Sequence, residues 1–291
     1  MKGCIRPVLV FGLAALSIVI VGAQDRPLPD KDEFLQQTRK HLRIDSSVQR
    51  NYMYVETRRE TKLDKDGRVA EELVRVFESY PGLPGQPRWE RLISKNGQPV
   101  SAADLAEQDL ERTKTANDMA RRLAADPDKE HARQDRDWQR LRHDRAEVVD
   151  DIDVVYDITM IGRQSIEGHD TIAFSLTPKP TSNPGTREGE MMRRFSVRAW
   201  ISETDHELVR LEAEAIDNLS LGFGMARLHK GAQLSFLRRK INDEVWLPAV
   251  TSYSGSARVG LLWTLRRTGS SEYSSYRKFT VGTSSSFSPP K

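Results

Sequence analysis

The sequence predicts an α+β fold. It consists of a strongly curved antiparallel sheet of about ten strands, with helices at the N-terminus and in one insertion covering its concave side. Two observations point to this. The stretch 154–216 alternates apolar and polar residues over four short runs, with Phe195, Val197, Ala199 and Ile201 in one and Val209, Leu211, Ala213 and Ala215 in the next. A period of two gives each strand one wet and one buried face. Turn chemistry separates most of the runs: Asp66-Gly67, Asn96-Gly97, Glu167-Gly168 and the polar run 202–207. So many strands in one open sheet must curl, because each strand twists relative to its neighbour.

In chain order, Asp30-Lys31-Asp32-Glu33 is a helix start. An acceptor side chain is followed three residues later by Glu, and the helix carries Phe34, Leu35 and Leu42 to about Arg43. Runs 51–63 and 68–80 form a hairpin closed by Asp64-Lys65-Asp66-Gly67, with 88–95 as the next strand. The Asp-x-Asp-Gly run lacks the later acidic ligands of a calcium loop and is a turn. Between 101 and 147 the composition changes to Asp, Glu, Lys, Arg and Ala. Ser101 caps one helix there and Asp126-Pro127 starts another. The insertion is a helical hairpin, mostly wet; a cover over an apolar cavity would need more apolar surface. Strands follow at 154–161, 171–177, 195–201, 208–216, 232–241, 245–253, 258–267 and 272–281. Asp150, Asp151 and Asp153 lead into the first of these and would blunt an edge.

The first 23 residues read as an address. Lys2 and Arg6 precede an uncharged apolar stretch, and small residues at 21–23 offer a cleavage site. A cleaved signal segment is the reading, with an uncleaved anchor as the alternative. The expected organisation is thus 1–23 signal, 24–281 one domain with the insertion 101–147, and 282–291 a disordered Ser/Pro tail. The formal net charge is +3, and loss of Lys2 and Arg6 lowers it to +1. That argues against a nucleic-acid partner, which calls for a strong basic excess. With the signal removed, no transmembrane span is expected.

Catalytic motifs are missing from the sequence. Cys4, the single cysteine, lies in the signal segment, so the mature chain has no thiolate. None of the six histidines has another three or four residues away, as a helical metal pair requires. His169-Asp170 and Asp205-His206-Glu207 fall in turns and read as solvated. There is no nucleophile elbow or P-loop. The expectation is a protein that is not an enzyme and has neither metal nor cofactor. What remains is apolar surface on strands: Phe174, Leu176, Trp200, Leu211, Phe236, Trp246, Leu262 and Trp263. Each alone is an ordinary core residue. Together, under thinly apolar helices, they are candidates to line an unfilled cavity for a ligand such as an acyl chain.

The segments YDITMIGRQSIEGHDTIAFSLTPKP, VRAWISETDHELVRLEAE, LHKGAQLSF, NDEVWLP and EYSSYRKF resemble the LolA/LolB-like superfamily of bacterial lipoprotein-sorting and lipid-carrier proteins. The likeness is nearest to its uncharacterised secreted members. The hairpin motif of that superfamily is matched by Trp200, Ile201, Leu208, Arg210 and Glu212, with Ser202 in place of an expected Asp. The resemblance implies a periplasmic half-barrel enclosing an apolar cavity, with a lipid or lipidated protein as partner and no catalytic residues. The long charged insertion departs from the pattern. It leaves open a second role, as an envelope protein-interaction or sensing module in which the insertion docks a protein partner.

Overall fold

The computed structural model describes residues 26–44, 51–82, 88–221, 226–259 and 263–278. The expected signal segment 1–23, the expected tail 282–291, the end of the expected strand 272–281 and the candidate Leu262 lie outside the described residues. The chain begins with α1 (Lys31–Ile44), then β1 (Tyr52–Leu63), β2 (Val69–Tyr80), β3 (Trp89–Lys95) and β4 (Gln98–Pro99). Helices α2 (Ala102–Ala125) and α3 (Pro127–Val155) follow, then β5 (Tyr156–Ile166) and β6 (His169–Pro178). A short α4 (Arg187–Met192) precedes β7 (Phe195–Ser202), β8 (Leu208–Ala215), β9 (Leu219–Leu221) and β10 (Ala226–Leu228). The last strands are β11 (Gln233–Ile241), β12 (Val245–Val259) and β13 (Trp263–Lys278).

All thirteen strands among the described residues belong to one antiparallel sheet that does not close into a barrel. Its order is β4-β3-β2-β1-β13-β12-β11-β8-β7-β6-β5, with β10 beside β12 and β9 beside β10. The N-terminal hairpin therefore pairs with the last strand, and α2 and α3 connect strands at opposite ends of the order.

Local chemistry explains the elements. Asp30 Oδ1 accepts from the Glu33 amide at 2.9 Å and starts α1. Acidic Asp32 and Glu33 near its start and basic Arg43 near its end suit the helix dipole. Phe34 and Thr38, one turn apart, are both buried, and the Thr38 hydroxyl donates to the Phe34 carbonyl at 3.0 Å. Asp64 Oδ1 accepts from the amides of Asp66 and Arg68, and Gly67 takes φ +80°. Asn96 and Gly97, at φ 50° and 77°, make the tight β3–β4 turn. Asp126 separates α2 from α3, and its carboxylate caps α3 through the Lys129 amide at 3.0 Å.

The structure moves several expected boundaries. α3 runs on to Val155, so Asp150, Asp151 and Asp153 lie on a helix and blunt no strand edge. Asp150 and Asp153 pair instead with Arg43 and Arg39 of α1. The closing runs 258–267 and 272–281 are not two strands; β12 extends to Val259 and the single β13 spans Trp263–Lys278. Ser270 and Ser271 continue the ladder to β1 and β12 without a turn. Short β4, β9 and β10 raise the strand total above the expected ten, because runs of two or three residues leave no periodicity to read.

Two devices frame the sheet. The exposed edge of β3 is met by Gln108 of α2, whose side-chain amide accepts from the Leu92 N–H at 2.8 Å and donates to its carbonyl at 3.1 Å. A side chain thus stands in for a neighbouring strand and blocks edge pairing. At the other end, buried Asp151 accepts from the Gly185 and Thr186 amides, both at 2.8 Å, and from the Thr186 hydroxyl at 2.5 Å. This ties α3 to the loop that starts α4.

Candidate functional site

Directly opposed residues in an antiparallel pair project from the same face, so the strand registers define rows across the sheet. One row runs Met160, Phe174, Ala199, Leu211, Phe236 through β5, β6, β7, β8 and β11. The row beside it runs Ile158, Leu176, Val197, Ala213, Leu234 and reaches Tyr253 on β12. These two rows make a continuous apolar lane. Four of the eight candidate residues, Phe174, Leu176, Leu211 and Phe236, fall in it.

Helix α1 lies over one end of the lane. Phe34 packs on Phe174, Ile172, Ala199 and Ile201, with its ring stacked on that of Phe174 at 5.8 Å. Burying a side chain of this size stabilises the packing by about 1.5–3 kcal/mol. Away from α1 the cover thins. Leu211 and Phe236 are half-buried, while Leu234 and Tyr253 are 42% and 41% exposed. Tyr253 lies over Gly269 of β13, where a Cβ would come within 2.4 Å of the ring.

The other candidates are placed elsewhere. Trp200 pairs with Ala173 and Arg210, so it projects from the face opposite Ala199. Its indole donates to Gln164 at 2.7 Å and lies under the Arg210 guanidinium at 5.2 Å. Trp246 is buried, donates to Asp205 at 2.8 Å and packs edge-on against His169 at 4.8 Å. Trp263 is the first residue of β13. Two surface depressions, of about 740 and 460 Å³, lie away from these residues. The first is between β3, β4 and α2, and the second is beside α4 and Arg227.

The turn Asp205-His206-Glu207, expected to be solvated, is instead a half-buried anchor. Glu207 takes His41 of α1 at 3.1 Å and the buried Arg238 at 3.2 Å. Asp205 accepts from Lys240 as well as Trp246. Burial and these two hydrogen bonds act in opposite senses on Asp205, and the bonds prevail, holding its carboxyl below the usual range. The His206 ring packs on Phe34 at 4.8 Å and faces His41 at 6.3 Å. Burial, and next the His41 charge, push its pKa down. No local sequence signal marks this cluster, since its partners come from α1, β11 and β12.

Among the described residues, no group of three or more His, Cys, Asp or Glu side chains could hold a metal ion. No helix among them is long and apolar enough to cross a membrane.

The sequence matches no protein family and no curated protein. Solved structures similar to it include a putative outer membrane lipoprotein-sorting protein domain from Vibrio parahaemolyticus. That similarity has 10% identity and a TM-score of 0.33, covering 87% of this chain and 93% of the other. A LolA superfamily protein from Nitrosomonas europaea shares 11% identity over 88% of this chain and 96% of its own, at a TM-score of 0.31. The MucA/MucB complex of Pseudomonas aeruginosa matches at 10% identity, 86% and 99% coverage and a TM-score of 0.22.

Proposed function

We propose that this protein binds a hydrophobic ligand, an acyl chain of a lipid or lipidated protein, against the apolar lane of its sheet. The observation that carries the reading is the uncovered end of the lane. Leu234 and Tyr253 are cross-strand neighbours, each more than two-fifths exposed, at the end of the second apolar row. Contiguous exposed apolar surface on a folded chain marks a binding site. The apolar segment before residue 24 supports secretion to the periplasm, where such a carrier would work. The test is native mass spectrometry of the protein from its own cells, with extraction of bound lipid, beside Leu234→Glu. Leu234 is exposed, so the variant should fold normally yet lose the lipid. A wild-type protein that carries none and binds no acyl probe refutes the reading.

A second reading rests on the helical hairpin. α2 has 24 residues and none is buried, and Leu110 and Leu141 are 53% and 50% exposed. Such a helix gains little from packing on its own chain and suits docking to an envelope protein. Replacing 113–140 by a short Gly/Ser linker keeps Gln108 and Asp151. Under this reading it abolishes capture of a partner from the envelope while the sheet still folds; capture at the wild-type level counts against it.

A further inference from the structure

The same face of the sheet changes character along its register rows. Beyond Phe236 the first row continues Thr251, Ser271, Arg58, Arg75, Lys95, through β12, β13, β1, β2 and β3. Beyond Tyr253 the second continues Gly269, Glu60 and Leu73. One half of the face is therefore apolar and the other carries the charged residues, with Leu73 and Phe77 between them, and the halves are separated by Thr251, Ser271 and Gly269. Four strand spacings, about 19 Å, separate Phe236 from Arg75, a span within reach of an extended acyl chain and its head group.

Most charges in the polar half are already matched. Arg58 donates to Glu56 at 3.0 and 2.9 Å and to Glu90 at 3.2 Å, with its guanidinium over Phe77 at 4.6 Å. Arg75 gives one Nη to Glu60 at 2.7 Å. Two donors remain. The buried Nε of Arg75 has no hydrogen-bond partner among the described residues. Lys95, opposite Arg75 on β3 and flanked on its other side by Gln98 of β4, is exposed and has no ion-pair partner among them. An unmatched buried N–H is uncommon in a folded protein. Here it lies on the row that leads out of the apolar lane, beside a free cation.

We infer that the ligand is an amphiphile with an anionic head group. Its tail lies over Leu211, Phe236, Leu234 and Tyr253, and its head group over Arg75 and Lys95. Anionic oxygens accept from the exposed part of the Arg75 guanidinium, whose side chain is 28% exposed, and from the Lys95 ammonium, and charge-assisted bonds of this kind are the strong ones. The neutral Thr251 and Ser271 let the linking part of the molecule cross between the two halves. This inference rests on the acyl-binding reading above and adds the head group to it.

The experiment compares three probes on the protein as purified from its producing cells: lysophosphatidate, the monoacylglycerol of the same chain length, and glycerol 3-phosphate. Lysophosphatidate should bind about tenfold or more tighter than monoacylglycerol. Arg75→Gln should remove that advantage and leave monoacylglycerol binding within about twofold, while Arg75→Lys should restore part of it. Circular dichroism and thermal melting establish that each variant is folded. If Arg75→Gln proves unfolded, Lys95→Gln, at an exposed side chain, supplies the same comparison. Equal affinity for the two acyl probes overturns the head-group site and leaves the acyl reading standing. A loss in Arg75→Gln that is the same for both probes also overturns it, since Arg75 would then act only by packing. Binding of glycerol 3-phosphate as tight as lysophosphatidate overturns the amphiphile in favour of a free phosphate site. Failure of both acyl probes overturns the acyl reading and this inference with it.

Discussion

Asp151 should be among the most stability-sensitive polar residues in this protein. It is 5% exposed and its two oxygens hold three donors: the Gly185 and Thr186 amides and the Thr186 hydroxyl. Hydrogen bonds to a charged group contribute about 1.5–3 kcal/mol each, and bonds to one carboxylate are not additive. The neighbourhood cannot collapse to compensate, because the site is crowded: a Cβ on Gly189 would lie 2.4 Å from an Asp151 oxygen. Asp151→Ala should therefore lower unfolding stability by about 3–5 kcal/mol. Asp151→Asn, which keeps the shape and one acceptor, should lose about 1–2 kcal/mol. Urea unfolding followed by circular dichroism reads both. The pH dependence gives a second check. Burial raises the Asp151 pKa, but the bonds from Thr186 and the two amides outweigh it and the folded value is depressed. Such a group stabilises the fold above its unfolded pKa, about 3.9 for Asp. That contribution is lost as pH falls through the lower folded value. Wild type should thus lose stability below about pH 4 more steeply than Asp151→Asn. A loss under about 0.5 kcal/mol for Asp151→Ala, or identical acid limbs, would refute this account of how α3 holds α4.

Three further outcomes follow from particular contacts. His206 has a depressed pKa from burial and from the His41 charge, opposed by Asp205, so the unfolded chain binds more protons below about pH 6.5. Stability should fall with acidification from that point, and His206→Asn, which tolerates the same φ of 55°, should flatten the start of that decline in thermal melts. Gly269→Ala drives a Cβ into the Tyr253 ring. It should lower stability by about 1–3 kcal/mol and alter acyl-probe affinity; a neutral effect on both would show that the ring moves freely. Gln108→Ala removes both side-chain bonds to the Leu92 backbone, so hydrogen exchange at the Leu92 amide should accelerate while the rest of β3 is unchanged.

How legible the protein was in its sequence depended on the range of the interaction concerned. The α1 start, the β1–β2 and β3–β4 turns, the helical hairpin and the β7–β8 pair all follow from residues within a few positions of one another. Asp30 caps through Glu33, Asp64 closes its own turn, and Asn96-Gly97 adopts the positive φ values that their side chains permit. Alternation alone put Phe174, Leu176, Leu211 and Phe236 on sheet faces, and they share one lane. The same parity already sets Trp200 opposite Ala199 and Ile201, so its place among the cavity candidates overlooked the alternation; which of the two faces is covered is set by what packs there, in this case α1. Alternation could not show that Asp150, Asp151 and Asp153 finish a helix. Their partners Arg43, Thr186 and Arg39 are far away in sequence, and helix packing overrides a weak local strand signal. The anchor at Glu207, the free Nε of Arg75 and the division of one face into apolar and charged halves depend on strand register. Register is fixed by pairing partners such as Ser271 and Arg58, more than 200 positions apart, and no local pattern encodes it. The sequence alone determined strands, turns and caps, because those energies are local. The tertiary structure decided the apolar lane and its charged continuation, because both exist only once distant strands lie side by side.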